Sequence, residues 1–301
     1  MFKAGLVEST LRALEASGYL TVDCHGSRSS FDVIGKRGGR LLLVKALASV
    51  EGLSRDSVVE LRRVASILGA TAVVVSGRMK SSGLADGIVY DRYGVIVCSI
   101  ATFESIINDS MPKIYSTRGN YCVRVDGGML AEARRRLGMT QEDMAERLGV
   151  TKQSVYRYEA LGRVSLDVFE RLSDFFGEEI AKPVGEPHAE ESVESDGVSR
   201  NVTSFKKMVC REFEELGFKT SLTSAPFDMV ATRDETVFGV VSNDWRRLEG
   251  KISVLEEISD LLGGYRVCVS ERRVEGKASV LTPGELAKVR SPRELFKLLG
   301  D

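Results

Sequence analysis

The spacing of apolar positions changes along this chain, and each change marks a block. The first residues carry a helical period that ends in LRALEASGYL, where Gly18 supplies a helix stop. SSFDVIGKRGGRLLLVKA then reads as strand, turn, strand. VVELRRVASILGA reads as an amphipathic helix and TAVVVS as a short buried strand. The last third repeats this order in CREFEELGFK, APFDMVATRDETVFGVVS, VLEEISDLLGG and YRVCVS. Gly18-Tyr19 matches Gly217-Phe218, Phe31-Asp32 matches Phe227-Asp228, and Ser76 closes its strand as Ser270 closes the other. Both blocks read helix, strand, turn, strand, helix, strand. An apolar final strand reached through a helix implies a mixed sheet flanked by helices, so the chain is an internal duplication of an α/β unit.

Between the copies the period is helical. Thr140 and Asp143 stand at capping-box spacing, and Glu142 and Asp143 suit the positive end of a helix. Met144, Ala145 and Leu148 share one face of that helix. Gly149 supplies the left-handed turn of a tight helix–helix joint, and Thr151 is a good N-cap for the next helix, Lys152–Glu159. At about 100° per residue, Lys152, Gln153, Tyr156 and Arg157 gather on one side of it. Val155 and Tyr158 fall on the other side, for docking on the preceding helix. Long polar and aromatic side chains gathered this way reach base edges and phosphates in a major groove. Ala145 lets the two helices cross closely.

The resulting fold class is multidomain α+β. It has an N-terminal α/β domain at 1–110, a β-hairpin connector at 111–127 (Tyr115–Ser116 against Tyr121–Val125), and an all-α domain at 128–180. A flexible acidic linker at 181–200 and a C-terminal α/β domain at 201–301 complete it. The linker holds two of the six prolines, five acidic residues and no aromatic, too little apolar surface to offset its ordering entropy.

Charge narrows the partners. With 42 Lys+Arg against 43 Asp+Glu the chain is at −1, which excludes a nonspecific nucleic-acid coat. Within 127–180, eight Arg/Lys stand against ten Asp/Glu, so double-stranded DNA would be held through a local patch, by a dimer, with steep salt dependence. Cys24, Cys98, Cys122, Cys210 and Cys268 are odd in number and form no CxxC pair, and His25 and His188 are isolated. They read as reduced, buried thiols of a cytosolic protein, with no metal site and no cofactor. No apolar run approaches the roughly 18 residues of a membrane span, and the N-terminus has no signal-peptide core.

Residues 129–177 resemble the Cro/CI-repressor (XRE) helix-turn-helix family over about fifty residues. Arg134, the LGMTQEDMAERLGVTKQSVYRYE core and the later SLDVFERLSDFFG helix carry the resemblance. It implies a five-helix bundle in which Gln141 touches a phosphate and Lys152, Gln153 and Tyr156 face bases. Thr151, Ser154 and Arg157 help on the backbone, and Arg134 pairs with Glu159. The first block is similar to a degenerate restriction-endonuclease-like core. Asp32 and Lys45 match the first and last positions of its metal-binding pattern, but Leu43 replaces the middle acid. The third block keeps Asp228 and has lost the lysine, at Gly239-Val240-Val241. Asp32 and Asp228 are therefore expected to cap turns or pair locally. The three-part chain as a whole resembles a family of archaeal HTH-type transcriptional regulators, which implies a DNA-binding regulator rather than an enzyme. Its flanks would dimerise the chain, sense a small-molecule effector, or hold nucleic acid on a nuclease-like surface.

Two rival readings stand beside it. A metal-dependent nuclease would use Glu8, Asp32 and Lys45, and a protein-bridging adaptor would use the helical domain without DNA. Tyr90-Asp91-Arg92-Tyr93 reads as a polar surface turn.

Overall fold

The computed structural model describes residues 3–26, 30–117, 119–184, 203–224, 226–271 and 280–300. The chain groups into two compact units, Met1–Ser81 with Pro187–Asp301, and Ser82–Glu186.

The first repeat runs α1 (Lys3–Ala16), β1 (Leu20–Asp23), β2 (Val33–Arg37), β3 (Arg40–Leu47), α2 (Arg55–Leu68) and β4 (Thr71–Ser76). β1, β2 and β3 form an antiparallel meander, and β4 joins β3 in parallel after the α2 crossover, with Val44 opposite Val73. A parallel neighbour needs such a crossover, and the helix covers the sheet face that the apolar strands leave bare. Ser54 caps α2 by accepting from the Ser57 N–H, and Gly69 ends it at φ 64°. β1 is a strand beyond the expected pattern. It lies at the sheet edge and is only partly buried, so it leaves no apolar run in LTVD.

The second unit holds β5 (Ile88–Arg92), β6 (Val95–Cys98), α3 (Ile100–Ile107), β7 (Ile114–Thr117), β8 (Asn120–Val125), α4 (Gly127–Arg136), α5 (Gln141–Leu148) and α6 (Lys152–Leu161). β9 (Arg163–Ser165), α7 (Leu166–Phe176), a 3-10 turn at Glu178–Ile180 and β10 (Ala181–Lys182) follow. The hairpin pairs Ser116 with Tyr121. Its strand β8 also takes β9 and β10 as antiparallel neighbours. The resemblance implies five helices; among the described residues this block has four α-helices, closed by the 3-10 turn. The short strands β9 and β10 tie it to the hairpin sheet, so it is not purely helical. β10 takes up the first residues of the expected linker; residues 185–200 of that linker lie outside the described residues. The Tyr90–Tyr93 segment is the end of β5 and a tight turn, with Tyr93 at φ 56° and Gly94 at φ 78°. Tyr90 is buried and Tyr93 exposed.

The second repeat returns to the first unit with α8 (Ser204–Glu215), β11 (Lys219–Leu222), β12 (Met229–Thr232), β13 (Thr236–Val241), α9 (Trp245–Leu262) and β14 (Tyr265–Val269). β15 (Val280–Leu281), α10 (Pro283–Leu286) and α11 (Pro292–Gly300) extend it. Strand order and sense repeat those of the first copy, with β15 added in parallel to β14.

The two repeats pack on each other reciprocally. α2 lies against β11 and β12 of the second copy, and α9 lies against β1 and β2 of the first. Phe31 and Phe227, equivalent residues, meet with ring centroids 5.9 Å apart. Ser30 and Thr223 hydroxyls are 2.7 Å apart, and the Glu60 carboxylate on α2 accepts from the hydroxyls of Ser30 and Ser224 and from the Ser224 N–H. Lys36 donates to the Leu261 carbonyl at 2.9 Å. The same patch on each copy meets its counterpart, the geometry of a two-fold homodimer enclosed in one chain.

Candidate nucleic-acid interface

The helix pair α5–α6 is built by local chemistry. Thr140 accepts from the Asp143 N–H while the Asp143 carboxylate accepts from the Thr140 N–H at 2.8 Å, a complete capping box. These bonds, led by that of the Thr140 side chain, hold the Asp143 carboxyl below the usual aspartate range. Gly149 turns the chain at φ 62°, and Thr151 caps α6 by accepting from the Ser154 N–H. Met144, Ala145, Leu148 and Val155 are buried in one core with Val123, Val125 and Val164 of the sheet.

That core aims α6. Val155 is 0% exposed while Tyr156, next to it, is 60% exposed. Lys152, Gln153 and Arg157 are exposed with it on the same side, as their spacing requires. Lys152 is not free: its ammonium lies 3.0 Å from the Glu142 carboxylate, an exposed pair between α5 and α6. Thr151 and Ser154 hydroxyls are 2.9 Å apart, so both serve the cap. Gln141 opens α5, but its side chain turns to the interior edge and donates to Glu159 Oε2 at 2.7 Å.

Glu159 is the hub of this end of the block. Arg134 Nε donates to its Oε1 at 2.6 Å, and Arg134 Nη1 donates to the Met139 carbonyl at 2.7 Å. The two side chains are only 9% and 10% exposed. Burial pushes the Glu159 carboxyl up, but the bonds from Arg134 and Gln141 outweigh it and leave it below the ordinary glutamate range. Arg135 and Arg136 are exposed, the latter paired with Glu132.

Two glycines that periodicity does not single out complete the seat. A Cβ on Gly127 would lie 2.0 Å from the Glu159 carbonyl oxygen, and one on Gly162 would lie 2.5 Å from that of Val125. Gly162 also sits at φ 62°. These backbone approaches clamp α6 between α4 and β8. The only sequence signal for them is the presence of glycine beside a helix end.

Residues 130–182 match the model of a helix-turn-helix, and residues 3–112 match that of a PD-(D/E)XK superfamily domain. A protein of Methanocaldococcus jannaschii named as a putative HTH-type transcriptional regulatory protein is 30% identical over 282 residues, covering 90% of this chain and 88% of its own length. This chain belongs to that family of archaeal HTH-type transcriptional regulatory proteins. Relatives of the same name are 30% identical in Pyrococcus furiosus and 27% in Archaeoglobus fulgidus, covering 99% and 98% of this chain and 98% and 97% of their own lengths. No solved structure matches it.

In this HTH-type family member the nuclease-like core is rebuilt around ammonium groups. Asp32 is fully buried; its Oδ1 lies 2.8 Å from Lys3 Nζ and its Oδ2 lies 3.7 Å from Lys45 Nζ. The Ala46 N–H donates to Oδ2 at 2.9 Å. Asp228 repeats the arrangement, with Lys206 and Lys251 Nζ at 2.6 and 2.7 Å from Oδ1 and the Val241 N–H on Oδ2. Desolvation lowers the pKa of Lys45 against the pull of Asp32. Glu8, the third member of the nuclease reading, is exposed and pairs with Arg12, so it does not join Asp32 and Lys45. Leu43 is 0% exposed where a second carboxylate would stand. A divalent ion needs several oxygen ligands, and a lone aspartate already held by lysines does not fit one. Among the described residues no group of three or more His, Cys, Asp or Glu could hold a metal, and no helix is long and apolar enough to cross a membrane.

Proposed function

We propose that this chain is a sequence-specific, double-stranded-DNA-binding transcriptional regulator of the cytoplasm, acting as a dimer, with α6 in the major groove. The observation that carries this reading is Tyr156, 60% exposed between Lys152, Gln153 and Arg157 on a helix anchored by the fully buried Val155. A large ring held in water beside three long polar side chains suits a surface that completes itself on base edges. Lys152, Gln153 and Tyr156 face bases, Lys152 leaving Glu142 to do so. Thr151, Ser154 and Arg157 serve the backbone. Gln141 stands at the first position of α5, where unpaired N–H groups and the helix dipole favour phosphate.

The flanking repeats are read as non-catalytic. Their pairing in cis occupies the α2 and α9 faces, so two chains would associate through other surfaces. The test is selection of bound duplexes from a random pool by the full chain. The wild type is expected to yield a palindromic consensus with half-sites about 34 Å apart. Lys152→Ala with Gln153→Ala is expected to lose that consensus with an unchanged melting curve. The same consensus from the variant overturns the assigned face. Cleavage of DNA in Mg²⁺ or Mn²⁺ that disappears in Lys45→Ala overturns the non-catalytic reading.

A further inference from the structure

A row of cations crosses the sheet beneath the helical block. β8 places Arg124 directly opposite Arg163 of β9 on one side and opposite Lys182 of β10 on the other. Val123, Val125 and Val164 point into the helical core. The alternation of a strand therefore sends Arg124, Arg163 and Lys182 to the other face, and all three are exposed. The Tyr115 ring lies beside both guanidinium groups, 5.8 Å from that of Arg124 and 5.7 Å from that of Arg163. It stiffens them without neutralising them. Lys182 shares its charge with Asp126 at 2.8 Å. Among the described residues neither arginine has a carboxylate partner.

Like charges directly opposite on paired strands are destabilising. Three cations abreast are therefore an arrangement that an anion would relieve. Strands lie about 4.8 Å apart, so the row spans about 10 Å. One strand of a duplex carries about three phosphates over that axial length. The row also begins where α6 ends: Leu161 closes the helix, Gly162 turns the chain, and Arg163 follows.

We infer that Arg124, Arg163 and Lys182 grip the sugar–phosphate backbone of duplex DNA. This rests on the reading of this chain as a DNA binder given above, and Arg124 and Lys182 add positive charge from outside residues 127–180. The face commits to DNA backbone because it offers a row of positive charge beside one aromatic ring, Tyr115.

The test uses the full chain, its selected duplex and a scrambled duplex across a salt series. Arg124→Gln keeps the stem over Tyr115 and removes the charge. It is expected to reduce the slope of log affinity against log salt by about 1, and Arg124→Gln with Arg163→Gln by about 2. Both duplexes are expected to weaken by the same factor, Arg124→Lys to restore the slope, and melting without DNA not to fall. An unchanged slope in variants that still select sequence overturns the row and leaves α6 as the reader. Binding without selection, with the slope falling in the variants, overturns α6 as the reader and keeps the row. A wild type that binds neither duplex overturns both.

Discussion

Arg134, Gln141 and Glu159 show how a few polar atoms set the helical block. Removing one partner of a buried pair strands the other charge. Arg134→Ala is therefore expected to cost about 3 kcal/mol, read from the urea midpoint. The Glu159 carboxyl sits below its unfolded value, so the unfolded chain binds the extra proton. Its contribution is complete above the unfolded pKa of about 4.3 and is lost as pH falls through the folded value. Glu159→Gln should flatten the acid side of a stability–pH curve, and an unchanged curve would show that the pair is immaterial to stability. Gly127 is a second single-residue control. Gly127→Ala pushes a methyl into the Glu159 carbonyl and should destabilise by about 1–3 kcal/mol, with weaker DNA selection because α6 shifts. The cysteines are the opposite case: burial raises the thiols of Cys24 and Cys98, and pushes those of Cys210 and Cys268 up to about 12 and about 11. A thiol reagent at neutral pH should label these four only as fast as the chain unfolds.

At the scale of elements, α6 is a short helix whose direction is set by α5. Ala145 is 4% exposed at their crossing, with Met144 and Leu148 beside it. Ala145→Leu should open the crossing, cost about 1–3 kcal/mol, and reduce sequence selection more than affinity for random duplex. Equal loss of both would place the effect on folding alone. The caps, the Gly149 turn and the polar face of α6 were all legible beforehand, since each is settled by residues within one or two turns of each other. The strands β9 and β10 were not. Each is only two or three residues long, and it becomes a strand because β8 offers it free backbone groups. That same pairing is what sets Arg124 between Arg163 and Lys182.

For the whole molecule, the repeated α/β pattern takes its meaning from how the copies meet. Phe31 and Phe227 bury against each other, and Glu60 bridges Ser30 to Ser224. A double-mutant cycle on Phe31→Ala and Phe227→Ala should return a coupling of about 0.5–1.5 kcal/mol. Additive losses would mean that the rings stabilise their own copies separately. Duplication thus places two copies of one α/β core and one helix-turn-helix on each chain, and in both copies a buried aspartate is held by two lysines. A sequence containing Asp32 and Lys45 at family spacing leaves that outcome open, because Lys3 and Asp32 meet only once α1 has packed on the sheet.

What the order of residues determined alone is everything settled over short stretches: the two copies, the helical block between them, its caps and turn, and the side of α6 that meets water. Helix and strand periods, caps and glycine turns act over a few residues, so they are written in the neighbourhood of each position. Only the tertiary structure decided which distant groups share a low-dielectric site or a sheet row. Gln141 reaches Glu159 across a helix–helix crossing, Phe31 reaches Phe227 across most of the chain, and Arg124 stands between two cations from other strands. Those pairings depend on chain closure and packing, which no local pattern encodes.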